Sequence, residues 1–141
     1  MAMRSDDPLA ATALSERERR VLRRLVGLLR VELGDDLLAV WLYGSRARGE
    51  ADPAETDPDR RSDIDLMILA GGGKRRHGAR AHELVERASV EEGDTPAWYS
   101  IIVEGPEWLR ERREIRSFFV GEVDRDKIVL AGSALEEGEH G

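Results

Sequence analysis

Two stretches decide the fold: Leu37-Leu38-Ala39-Val40-Trp41-Leu42-Tyr43-Gly44-Ser45, and Ser62-Asp63-Ile64-Asp65-Leu66-Met67-Ile68-Leu69. The first is a short, unbroken apolar run that stops abruptly at Gly44-Ser45. A run of that length bounded by a turn signal predicts a buried strand. The second predicts another strand, Ile64 to Leu69, entered through a pair of aspartates. Successive strand side chains point to opposite faces. Ile64, Leu66 and Ile68 are therefore expected in the core. Asp63 and Asp65 are expected together on the other side.

Each feature carries chemistry. Two carboxylates held side by side repel unless a cation neutralises them. Carboxylate oxygens suit Mg²⁺, which takes one or two of them together with substrate phosphates. Glycine at a strand end lets the backbone approach a ligand, and free amides at a helix start bind phosphate. Ser45 adds a hydroxyl, and Arg46 and Arg48 offer positive charge just beyond it. Gly-Ser alone is an ordinary turn, and Asp-Ile-Asp alone is an ordinary strand entry. In this order, each at a strand boundary, they describe metal-assisted phosphoryl or nucleotidyl transfer.

Working outward, Ser15-Glu16-Arg17-Glu18 reads as a capping box. It opens a helix with Val21, Leu22, Leu25, Leu28, Leu29 and Leu33 on one face and Gly34 as its stop. Arginines at 17, 19, 20, 23, 24 and 30 form its polar face, read as solvated. Residues 1–14 are expected to be a flexible lead. Glu50 to Ser62 is rich in Asp, Glu and Pro, hence a loop. Gly71 to Arg76 is expected to break the chain before a second helix marked by Ala81, Leu84, Val85 and Ala88. Ala97 to Val103 predicts a third strand. Pro106 opens a further helix, whose spacing continues through Ile115, Phe118, Phe119 and Val123. Ile128-Val129-Leu130 suggests a last short strand, and 134–141 an acidic tail. The expected fold is α/β (α+β), a small mixed sheet flanked by helices, with one domain over 15–133.

Composition narrows the function. The chain has 141 residues, 40% hydrophobic and 36% charged, which suffices for a core. There are no cysteines, so disulfides, thiolate metal sites and cysteine nucleophiles are excluded. A net charge of −7 argues against long nucleic acids as partners but leaves room for a metal-bound nucleotide. No apolar run reaches the length of a membrane span, and the first residues lack the pattern of a signal peptide, so a cytoplasmic location is expected. Gly71-Gly72-Gly73-Lys74 does not meet the P-loop pattern, because Arg75 follows the lysine and Ile68 stands where a glycine is required. His77 and His82 lack partners at zinc spacing. Trp41, Trp98 and Trp108 are read as core or partner-facing.

At Leu42-Tyr43-Gly44-Ser45-Arg46-Ala47-Arg48-Gly49-Glu50 and Ser62-Asp63-Ile64-Asp65-Leu66 the sequence resembles the minimal nucleotidyltransferases of the DNA polymerase beta superfamily. The resemblance is strongest over residues 37–69. It implies that Gly44 and Ser45 hold the triphosphate of an NTP, ATP by expectation, and that Asp63 and Asp65 bind Mg²⁺. It also implies transfer of AMP to a protein or small-molecule hydroxyl, and pairing with a helical HEPN protein as antitoxin and toxin. Two departures stand out. The acidic loop Ala51 to Arg61 is longer than in small relatives, and is read as an idle insertion rather than a flap. Ser100 stands where the family places a third carboxylate. Glu104 shares its face but lies roughly 13 Å along the strand, and Asp94 is further still in the other direction. The alternative reading is a catalytically impaired module that neutralises its partner by contact.

Overall fold

A computed structural model describes Leu9, residues 12–50, Asp57 and residues 61–136. Among them the helices are α1 (Glu16–Leu33), α2 (Ser45–Arg48), α3 (Gly73–Glu91), α4 (Pro106–Glu114) and α5 (Phe118–Asp126). The strands are β1 (Leu37–Tyr43), β2 (Ile64–Ala70), β3 (Tyr99–Glu104) and β4 (Ile128–Gly132). They form one mixed sheet in the order β3-β2-β1-β4. β1 is antiparallel to β2 and β4, and β2 is parallel to β3. The parallel pair is joined through α3, because parallel neighbours need a crossover.

Both sheet faces are covered. Val40, Leu42, Ile64, Leu66 and Ile68 pack with Leu22, Leu25 and Leu29 of α1 and Leu84 and Val85 of α3. Ala39, Trp41, Met67 and Leu69 pack on the other side with Leu109 of α4 and Val120 and Val123 of α5. Each fully buried leucine here contributes about 1.5–3 kcal/mol over its exposed state. Burial on both faces explains why β1 and β2 read as continuous apolar runs rather than alternating ones.

The capping box forms as read: Glu18 N donates to Ser15 Oγ and Ser15 N to Glu18 Oε1, at 3.1 and 2.8 Å. Several expectations need correction. The lead is not free throughout, since Leu9, Ala13 and Leu14 are buried and the Ala13 N–H donates to Arg46 O at 3.1 Å. The rest of residues 1–11, most of the Ala51 to Arg61 loop and residues 137–141 lie outside the described residues. α3 begins earlier than expected, taking in Gly73 to Arg76. Gly72 turns the chain at φ +90°, and Gly73 packs so close to Gly105 that a Cβ would meet its backbone nitrogen at 3.0 Å. The third strand starts two residues late, because Pro96–Trp98 forms a 3₁₀ turn. The helix from Pro106 does not run on. It stops at Glu114, Arg116 takes φ +55°, and Ser117 caps a new helix by accepting from Val120 N. Ile115 and Phe118 are consequently exposed, while Val120 and Val123 reach the core. Among the described residues no helix is long and apolar enough to cross a membrane.

Candidate active site

The register of the central strands assembles the site. Tyr43, the last residue of β1, pairs with Asp65 of β2, and Asp65 pairs with Ser100 of β3. The Gly-Ser turn therefore leaves β1 beside the aspartates as they enter β2. The approach is tight: Gly44 has φ +79°, and a Cβ there would lie 2.5 Å from Asp65 Oδ2. Only glycine meets both demands, the positive φ and the missing side chain.

Asp63 is exposed and Asp65 half-buried. Burial raises the proton affinity of Asp65 above the ordinary carboxylate range. The neighbouring Asp63 charge adds to this, against smaller opposing pulls from Arg46 and Arg48. Burial and an adjacent like charge both disfavour the ionised carboxylate. Tyr43, beside Asp65, has its hydroxyl pushed up to about 12 by burial and by that carboxylate. Its ring meets Phe119 edge-on at 5.7 Å. Sequence reading passed over this aromatic wall, since Tyr43 closes an apolar run and Phe119 lies 76 positions away.

Ser45 opens α2, whose first-turn amides have no intrahelical partner. The Ser45 hydroxyl lies 3.4 Å from that of Ser62. Arg46 is a correction: it is 1% exposed and its side chain cannot reach a phosphate. Nη1 donates to Glu18 Oε1 and to Ala13 O at 2.6 and 3.0 Å. Nη2 donates to Glu18 Oε2 at 3.1 Å and to Ser62 O at 3.0 Å, and Nε donates to Ser62 Oγ at 3.0 Å. All five guanidinium donors are spent. Arg46 instead ties α2 to α1 and to the segment that delivers Asp63. Arg48 is exposed and pairs with Glu50 and Asp126, both at 3.0 Å, partners it would have to leave to meet a phosphate.

Glu18, read from sequence only as a helix cap, is the buried centre of this clamp and also accepts from Arg61 Nη2 at 3.0 Å. Arg61 donates onward to Asp94 at 2.8 Å and lies over the Trp98 ring at 4.9 Å. Asp94, which also accepts from the Tyr99 hydroxyl at 2.7 Å, is thus committed away from the aspartate pair. Nothing local signals the links of Arg61 to Glu18 and Asp94, because those partners are tens of residues apart.

The donor set suits one hard cation. Among the described residues no group of three His, Cys, Asp or Glu side chains converges. His77 instead bonds Asp36 at 2.9 Å and His82 bonds Gly78 O at 2.9 Å. Two carboxylates with open positions for phosphate oxygens fit Mg²⁺ better than a metal that needs a full protein cage.

No protein-family model matches the chain, and no curated protein matches it. Among solved structures, a crystal structure of "a putative nucleotidyltransferase from Sulfolobus solfataricus" aligns over 86% of this chain and 91% of its own, with 20% identity and a TM-score of 0.37. The superposition is loose, so the fold description rests on the strand order and register themselves.

Proposed function

We propose that the chain is a Mg²⁺-dependent nucleotidyltransferase that moves AMP from ATP to a hydroxyl of a protein or small molecule. The observation that carries this reading is the contact between the Gly44-Ser45 turn and the Asp65 carboxylate. A Gly-Ser turn held against a strand-entry carboxylate supports a nucleotide site there. Asp63 and Asp65 would hold Mg²⁺, which supplies charge neutralisation at the phosphates. The free amides of α2 and the Ser45 hydroxyl bind the triphosphate oxygens. The acceptor hydroxyl oxygen bonds to the α-phosphorus as its proton passes to solvent water, the bond to the bridging oxygen breaks, and pyrophosphate leaves.

A second reading is favoured by Ser100, which lies in register with Asp65 and offers a neutral oxygen where a carboxylate would be expected. On that reading the protein binds nucleotide weakly or not at all and restrains a helical HEPN-type toxin by contact. Calorimetric titration with ATP and Mg²⁺ tests the first reading. Binding is expected for the wild type and is lost in Asp63→Ala/Asp65→Ala. Absence of magnesium-dependent binding to a folded wild type overturns it. ATP labelled at the α-phosphate then separates the two: label on the partner marks the enzyme, and a tight unlabelled complex marks the module.

A further inference from the structure

Among the described residues the sheet ends at β3, and the outer side of that strand is open. Among the described residues the Tyr99 N–H donates to Pro96 O in the preceding turn, and the strand pairs along its length with β2 alone. Beside this edge runs a groove of about 660 Å³, walled by α3 on one side and α4 on the other. That volume lies within the ~300–1,000 Å³ of ordinary ligand clefts. Gly78 of α3 leaves the wall low, Ile102 supplies apolar floor, and Trp108 forms the opposite wall. A fifth strand added to β3 would lie between the two helices, as extended peptides do on open sheet edges.

The groove is locally cationic on a chain of net charge −7. Lys74 and Arg112 line it against a single carboxylate, Glu104. Arg112 lies over the Trp108 ring at 5.6 Å, and its buried Nε has no hydrogen-bond partner. The groove also leads to the candidate site. Ile102 stands two residues along β3 from Ser100, roughly 7 Å, and Ser100 is the register partner of Asp65.

We propose that this edge is the acceptor dock: it binds an extended, acidic, hydroxyl-bearing peptide segment as an added strand on β3 and leads its hydroxyl toward Asp65. The proposal rests on the nucleotidyltransferase reading for the destination of the hydroxyl, but the docking itself is measurable without catalysis. Backbone pairing explains why the occupant is a peptide and not a small molecule. The basic rim selects acidic side chains.

The test uses the full chain and a fluorescein-labelled probe peptide, Glu-Ile-Tyr-Val-Glu, followed by polarisation. Saturable binding is expected, with amide-exchange protection appearing in Tyr99–Glu104. Binding is expected to weaken several-fold for the Lys-Ile-Tyr-Val-Lys counterpart and for Lys74→Glu/Arg112→Glu. It is expected to vanish when alternate peptide amides are methylated on nitrogen, a change that leaves the protein untouched. Absence of binding, equal binding of the basic peptide, protection elsewhere, or a dimer in sedimentation that masks the same edge each overturns the proposal. ATP titrated into the same sample keeps the outcomes apart. Nucleotide binding without peptide binding sinks the dock alone, and peptide binding without nucleotide sinks the enzyme.

Discussion

At Gly44 the backbone conformation and the site chemistry meet in one residue. Its φ of +79° and ψ of −160° belong to a region that side chains avoid, and the space a Cβ needs is filled by Asp65. Gly44→Ala is expected to destabilise the protein by about 1–3 kcal/mol in urea denaturation and to abolish calorimetric binding of ATP with Mg²⁺, because Asp65 must move. Gly49 is the control. It has φ +76° but open space around it, so Gly49→Ala is expected to cost stability and retain binding. Retention of binding in Gly44→Ala would show that Asp65 is not held where the site needs it. Sequence alone marked Gly44, Ser45, Asp63 and Asp65, because turn and strand chemistry are local. It misassigned Arg46, because a guanidinium next to a phosphate-binding turn and one buried against a distant carboxylate look identical in one dimension.

Between elements, Arg46 and Glu18 form the joint that locks α2 onto α1, with side chains only 2% and 5% exposed. Losing one partner of a buried pair strands the other charge, at a cost of about 3–5 kcal/mol. Arg46→Ala is expected near the lower end of that range in urea denaturation, since Glu18 keeps Arg61 as a partner. Adding Glu18→Gln to it is expected to recover part of the loss. A cost no larger than that of an exposed arginine would mean the joint does not hold the site together. Strands β1 and β2 were legible because burial on both faces leaves them apolar apart from Asp65. The break at Ile115–Ser117 was not, because Ile115 and Phe118 keep helical spacing while pointing to solvent. Periodicity counts apolar residues without knowing which of them a neighbour covers.

Across the whole molecule, acid stability depends on ties that span the fold. Burial alone would raise the proton affinity of Asp94. Hydrogen bonds from the Arg61 and Tyr99 side chains and from Thr95 N outweigh it and hold the carboxyl below its ordinary range. Such a group binds its proton less readily folded than unfolded. Its contribution is present above the unfolded value, about 4, and is lost as pH falls through the lower folded one. Asp124, tied to Arg113 and Lys127, acts in the same sense. Asp65 acts in the opposite sense, its penalty growing as pH rises through its elevated value. Asp94→Asn is expected to be less stable than the wild type at neutral pH and to lose less on acidification, as read from denaturation midpoints across pH. Parallel acid limbs for the two proteins would remove Asp94 from the account.

The sequence by itself determined the two central strands, the capped first helix, and the pairing of a Gly-Ser turn with an Asp-Ile-Asp strand entry, since each depends on residues within a few positions of one another. Only the tertiary structure decided that Arg46 belongs to a buried clamp, that Ser100 stands in register beside Asp65, and that β3 ends the sheet with a basic groove along its edge. Those outcomes depend on strand order and on charges brought together from 28 or more positions apart, and a buried pair or a free edge exists only once the chain has closed around it.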